Sequence, residues 1–463
     1  MVVRPGLCAA VVLPGPRAVV RPPRPRAGVR LLGLRALVLL LGLCAPVTVP
    51  GGLAVAADAR PGAYDFAPGA RTVVGAAGMA GAEPLEPGRM YRSSLPKNGR
   101  LYYRLRLTAP DTAYVPVTAV PPPNATVSAT DGIRVSVRDA DGTPCSYAAA
   151  RFGAGLSPRP VTALGQRETG KALCQGTGTY YLLVERLDAG GSGTAAPAQG
   201  WDLEIAPVTE PGPAQAGSTT APRTWDSATP EPLTGEPRDR SGGSGFASAE
   251  PVGQGVWRTA LVPGETRFYK VPLDWGRQLH ASAELVPSPG HGYVGGALNL
   301  SLHNPVRGLV DDASLGYTGT RKSVALDPLP PVEYTNRHAV PAGVTSVRFA
   351  GEYYLVLHLS EQMAGTFGRG PFGVTLRIRV DGRAHAGPEY AGRPEPADVF
   401  TVTEQDREAA APAGSTGGRN GTVMKLVAVG GIGLGTALLL VLGGWTAAAR
   451  RTQTRVSAQK PTA

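Results

Sequence analysis

Acidic residues are absent from both ends of this chain. Residues 1–56 carry seven arginines and residues 425–463 carry five lysines and arginines, with no aspartate or glutamate in either stretch. Twelve of the 46 basic residues therefore sit at the ends, leaving 34 against all 35 acidic residues across 57–424. The formal charge of +11 thus hides a body with a net charge of −1, which lacks the basic stripe that nucleic-acid binding needs. Histidine is absent before residue 280, so a repeated pair of His-based catalytic sites is excluded. His-Glu-x-x-His, Gly-x-Ser-x-Gly and phosphate-cradling glycine loops are also missing. No catalytic residue, metal ligand or cofactor is expected, and the sequence reads as non-enzymatic. Asp139-x-Asp141-Gly142 begins like a calcium loop, but Pro144 stands where Gly is needed and Ala150 where a bidentate Glu belongs. A hairpin turn is expected there, and a loop at Asp311-Asp312.

Long amphipathic helical runs are missing too. Only 17% of residues are charged, while Gly 62 and Pro 45 make turns and linkers abundant, which favours short strands. The high Ala, Gly, Pro and Arg usage resembles that of secreted actinobacterial proteins.

What is present begins at the ends. Leu426 to Ala449 is uncharged and, at ~1.5 Å per residue, long enough as a helix to cross a hydrocarbon core of ~30 Å. Basic residues flank it, with Arg450, Arg451, Arg455 and Lys460 on the C-terminal side. The positive-inside rule then places a short tail (450–463) in the cytoplasm and the rest of the mature chain outside. Ala36 to Val49 followed by Ala54-Val55-Ala56 has the layout of a secretory signal peptide, 1–56, with an uncleaved anchor as the alternative. Gly431 and Gly435 form Gly-x-x-x-Gly within the predicted span, which predicts a helix–helix contact and a homodimer through it.

Removal of the signal leaves two cysteines, Cys145 and Cys174. An even pair in an exported domain predicts a disulfide, and closing that loop stabilises by roughly 3–4 kcal/mol in the chain-entropy model.

Between the ends lies an internal repeat. Tyr91-Arg92-Ser93-Ser94-Leu95 aligns at an offset of 166 with Trp257-Arg258-Thr259-Ala260-Leu261, and Tyr102-Tyr103-Arg104-Leu105 with Phe268-Tyr269-Lys270-Val271. Gly178-Thr179-Tyr180-Tyr181 likewise matches Gly351-Glu352-Tyr353-Tyr354. Apolar residues alternate at period two in Arg104–Leu107 and Ile133–Val137, so each copy reads as β, with Tyr102 and Phe268 in one core slot. Asn98-Gly99, Asp131-Gly132 and Asp141-Gly142 read as hairpin turns. The expected fold is all-β: two tandem jelly-roll-like β-sandwich domains (82–207 and 246–381) plus one C-terminal transmembrane α-helix (425–449). Residues 57–81 stay unassigned, 208–245 reads as a Pro/Gly/Ser/Thr linker and 382–424 as a stalk, both flexible.

The turn-plus-aromatic strand (LPKNGRLYYRLRL; LVPGETRFYKVPL), the middle strand (IRVSVRDADG; LNLSLHNPVRG) and the late Gly-x-Tyr-Tyr strand resemble the pre-peptidase C-terminal (PPC) family of bacterial β-sandwiches. That resemblance implies jelly-roll accessory modules rather than catalysts. Tyr269 to Gly276 also resembles actinobacterial membrane-anchored, single-span surface proteins. The functional expectation is therefore a membrane-anchored binding or scaffolding protein outside the cell. Its expected partners are a cell-wall glycan or a surface protein, with Trp225, Trp257 and Trp275 as candidate stacking rings. An accessory subunit of a membrane or secretion complex is the alternative, and a hydrolase with an unrecognised site the third.

Overall fold

The computed structural model describes residues 63–123, 125–187, 200–231 and 233–412. The signal peptide, the predicted membrane span with Gly431 and Gly435, and the tail lie outside the described residues. Among the described residues no helix is long and apolar enough to cross a membrane.

The described residues form four sheets, and the same strand order occurs twice. In the first half one sheet runs Arg71–Thr72, Tyr91–Leu95, Trp201–Ile205, Thr112–Val120, with Val208–Glu210 and Val161–Arg167 also paired to the last of these. Facing it, the second sheet runs Glu83–Pro84, Arg100–Leu107, Gly178–Leu187, Gly132–Arg138, Ala148–Arg151. The second half repeats the plan as Arg238–Asp239, Gly255–Leu261, Phe372–Asp381, Gln278–Leu285, Lys322–Ala325 against Glu250–Pro251, Thr266–Leu273, Gly351–Leu359, Val294–His303, Leu309–Tyr317. The stretches that align in sequence lie on corresponding strands, and inward residues from both sheets of a half merge into one core, as two packed sheets require.

Alternation within a strand fixes which aromatic turns inward. Tyr103 and Tyr269 are fully buried in the two cores, and the Tyr103 hydroxyl donates to Ser93 Oγ at 2.9 Å. Tyr102 and Phe268 point the other way, which corrects their assignment to the core slot. Tyr102 stays half-exposed, whereas Phe268 is buried in a separate cluster with Phe246 and Tyr64. Trp257 and Trp275 are buried core residues and Trp225 is half-buried, so the first two are not exposed stacking rings.

Of the three turn dipeptides, Asp141-Gly142 joins hydrogen-bonded neighbours, Gly132–Arg138 and Ala148–Arg151. Gly142 has φ +84°, and the Asp139 carboxylate accepts the Asp141 and Thr143 amides at 3.1 and 2.8 Å. Asn98-Gly99 instead carries the chain from one sheet to the facing one, with Asn98 itself at φ 55°. Asp131-Gly132 opens a strand, where a Cβ on Gly132 would lie 1.9 Å from the Ala150 oxygen. Asp311 and Asp312 lie in the strand Leu309–Tyr317 rather than in a loop, and Asp311 accepts the Asp327 amide at 2.8 Å.

Cys145 and Cys174 are bridged, closing a separation of 29 residues. Beside them Arg167 is fully buried and donates to the carbonyls of Cys174, Thr108, Ala109, Asp111 and Gly176.

Parts of the segments read as linker and stalk are held against the two halves among the described residues. Val208–Glu210 is a strand of the first half, and farther along the linker Asp226 and Glu231 carbonyls accept from Gln278 and Arg379 of the second. Residues 389–395 run antiparallel to 209–214, with Thr209 and Glu395 exchanging amide hydrogen bonds at 2.9 and 3.1 Å. Phe400 and Val402 are buried, and the helix Glu404–Ala410 is held by a Thr403–Asp406 capping box and by Arg407 on Asp274 at 2.8 Å. Composition hid this because three apolar side chains, Tyr390, Phe400 and Val402, outweigh their polar surroundings.

Candidate functional site

The two halves meet in a buried junction built from oppositely charged partners. Each acid comes from the first half and each arginine from the second. Glu204, with no exposure, meets Arg307 and accepts from the Tyr64 hydroxyl at 2.9 Å and the Ala67 amide at 2.8 Å. Glu210 meets Arg337 at 2.7 Å and accepts from the Tyr114 and Tyr390 hydroxyls. Glu168 meets Arg348 at 2.7 Å. Burial pushes the Glu168 carboxyl up, but Arg348 and Lys171 more than offset this and hold it below the ordinary value. Such pairs add little net stability, yet removing one partner strands a buried charge.

Neutral contacts complete the junction. The His358 ring lies 2.9 Å from Thr266 Oγ1 on one side and 2.9 Å from Ser157 Oγ of the first half on the other. Burial pushes His358 down to about 3, so the ring is neutral and serves as one donor and one acceptor. Gly296 has φ +58°, and a Cβ there would lie 2.9 Å from the Gly155 Cα of the first half.

This junction leaves a cleft of about 450 Å³ between the halves. Its walls are outward faces of strands, set by period-two alternation. Tyr147, Ala149 and Arg151 lie along one edge of the first half; Thr162, Leu164 and Gln166 line the neighbouring strand. Across from them stand Asn299, Ser301 and His303, which alternate with the core residues Leu298, Leu300 and Leu302. Ser301 is in register with Asp312, so that carboxylate shares the same wall. Arg159 and Arg348 complete the lining.

The electrostatics of the cleft are unbalanced. Arg151 is exposed and its side chain makes no ion pair or hydrogen bond among the described residues. Arg159 spends one nitrogen on the Phe152 carbonyl at 2.7 Å; desolvation lowers its pKa and the nearby Asp312 works the other way. Arg348 is 7% exposed; its Nη2 holds Glu168, and its Nε has no hydrogen-bond partner among the described residues. Burial pushes His303 down to about 4, so it adds no charge at neutral pH. Its Nε2 lies 3.4 Å from Ser301 Oγ and its Nδ1 faces the Arg307 carbonyl, not a carboxylate. A base titrating so low is a weak proton acceptor at neutral pH, so the Ser301–His303 pair is poorly matched to nucleophilic chemistry. Tyr147 is 63% exposed on the rim, with the Arg134 guanidinium 5.3 Å from its ring centroid.

A larger groove of about 1160 Å³ adjoins the cleft at Arg159 and Pro160 and is lined further by Pro121, Pro122, Pro263 and Arg369. Its Arg92 is already committed, to Asp202 at 2.6 Å and to the Phe66 ring at 4.1 Å. Among the described residues no group of three or more His, Cys, Asp or Glu is placed to hold a metal ion. Cys145 and Cys174 lie off the cleft as a structural bridge. The cleft itself was not visible in the sequence; the alternation in Leu298–His303 announces a wet face, but not what it would look onto.

No family model matches the chain, and no curated protein matches it. Several solved structures overlap it weakly. One is the N-terminal CBM22-1-CBM22-2 tandem domain of Paenibacillus barcinonensis Xyn10C, at 14% identity over 61% of this chain and 83% of that one, with a TM-score of 0.19. Another is the CUB1-EGF-CUB2 domain of human MASP-1/3, at 8% identity over 63% and 99%, with a TM-score of 0.16. A putative secreted protein of Eubacterium rectale overlaps at 9% identity over 64% and 74%, with a TM-score of 0.14. Overlaps with TM-scores this low carry no argument for a function.

Proposed function

We propose that this chain is a non-enzymatic binding protein of a bacterial cell surface, held by a helix at Leu426–Ala449 with both sandwiches outside. Its halves are PPC-like accessory modules of jelly-roll type, and the ligand is engaged at the junction cleft. The observation that carries the reading is the exposed Arg151 side chain, without an ion pair or hydrogen bond among the described residues, set in a polar cleft beside strands that the buried ion pairs hold in place. Support for the location comes from the uncharged stretch at 426–449, the basic residues behind it and the signal-like start. A disulfide in the described body fits an oxidising compartment.

The test uses intact cells. Protease added outside is expected to remove residues 63–412 from the surface, and crosslinking before lysis is expected to capture cell-wall material or a surface protein. Full protection of the chain until the cells are broken would defeat the location. Turnover of a substrate by the purified full-length protein would defeat the non-enzymatic assignment.

A further inference from the structure

We propose that the junction cleft is a saccharide site selective for sugars that carry an oxyanion, with Arg151 and Arg159 gripping the anion and Tyr147 offering a platform to a sugar face. The inference deepens the surface-binding reading and rests on it.

Charge comes first. Three arginines line the cleft; Arg348 is paired with Glu168 and Arg159 has Asp312 nearby, so the uncompensated charge is that of Arg151. Guanidinium groups match carboxylate and phosphate oxygens in a planar fork, and Arg151 has its whole fork available.

A simple anion would need only the arginines. The rest of the lining suits a larger, hydroxyl-bearing ligand. Tyr147 puts an exposed ring on the rim, and a ring of that type offers an apolar face beside a polar tip. The opposite wall offers Asn299, Ser301 and the Asp312 carboxylate, donors and acceptors of the kind that bind hydroxyls. The volume of about 450 Å³ lies within the ~300–1,000 Å³ range of small-molecule sites. An extended nucleic acid is a poor fit to a body whose net charge between residues 57 and 424 is −1.

The test measures calorimetric binding to the full-length protein in detergent. The probes are trigalacturonate as the carboxylate source, maltose 1-phosphate as the phosphate source, neutral β-1,4-galactotriose, and hexa-aspartate. At least one acidic sugar is expected to bind about tenfold or more tightly than galactotriose, more weakly at high salt, and which one binds identifies the oxyanion. Arg151→Ala is expected to weaken that binding about tenfold, and Tyr147→Ala by a few-fold, with thermal midpoints unchanged because both side chains are exposed. Arg151→Lys should recover part of the loss, and Arg92→Ala in the other groove should leave affinity alone. Equal binding of galactotriose, equal binding of hexa-aspartate, or full affinity in both Arg151→Ala and Tyr147→Ala would each overturn the assignment. If neither acidic sugar binds while intact cell wall is still captured, the oxyanion assignment falls and the surface-binding role stands.

Discussion

The two halves share a strand order but close it differently at one matching place. In the first half the connection after Val161–Arg167 is short, residues 168–177, and it is fastened by the Cys145–Cys174 bridge and by Arg167 on five carbonyls. In the second half the corresponding connection, 326–350, is much longer and has no cysteine. It brings its own apolar side chains, Leu326, Leu329, Val332 and Val347, into the core. One half thus closes by a covalent bond and a caged cation, the other by extra burial. The longer connection does more than fill space. It carries Arg337 and Arg348, two of the three cations that reach the first half, and Arg348 meets Glu168 on the equivalent short connection. The copies differ at a place where they meet.

Acid offers the largest way to break that comparison. His303 and His358, both in the second half, are pushed down by burial to about 4 and about 3. Below their unfolded pKa of about 6.5 the unfolded chain binds protons that the folded chain refuses. Their contribution is therefore intact above pH ~6.5 and lost progressively as the pH falls toward the folded values. Going from pH 7 to 4.5 is expected to cost roughly 5 kcal/mol, read as a fall in the urea midpoint, and His303→Gln with His358→Gln should flatten the slope. Equal midpoints at the two pH values would show that neither ring is held neutral.

Arg167→Met is the counterpart for the first half. It leaves the carbonyls around residues 108–111 and 174–176 without their donor, for a loss of about 4 kcal/mol. Calorimetry should then show the first half melting ahead of the second. A single unshifted transition would mean that the caged cation is not what closes that half. Reducing the disulfide is expected to cost about 3 kcal/mol in the same half and to leave the second half's transition in place. The smallest effect belongs to the contact between the halves. Gly296→Ala places a Cβ against Gly155 at a positive φ, for roughly 1–2 kcal/mol, and hydrogen exchange should speed up on both sides of the junction together. Faster exchange on one side alone would indicate that the halves are not coupled there.

Much of the sheet framework was legible because period-two alternation is a local signal, and the disulfide was legible because two cysteines leave one pairing. The inward choice of Tyr103 and Tyr269 over Tyr102 and Phe268 was not, since a shift of one residue reverses every face and only the facing sheet decides it. Trp257 and Trp275 illustrate the same limit: a ring at a strand border gives no local clue that a core will close over it. The junction was least legible. Glu204 and Arg307 lie more than a hundred positions apart, and each on its own looks like an ordinary solvated charge. The Pro- and Gly-rich tail misled through its average composition, when Tyr390 and Phe400 were the informative residues.

The return of residues 389–395 to the segment 209–214 also decides what a truncation would remove. Cutting the chain after Asp381 would take away the helix Glu404–Ala410, the Phe400 ring that stacks on Phe349 at 5.0 Å, and the ladder to 209–214 together. The segment 389–412 is thus a brace across both halves.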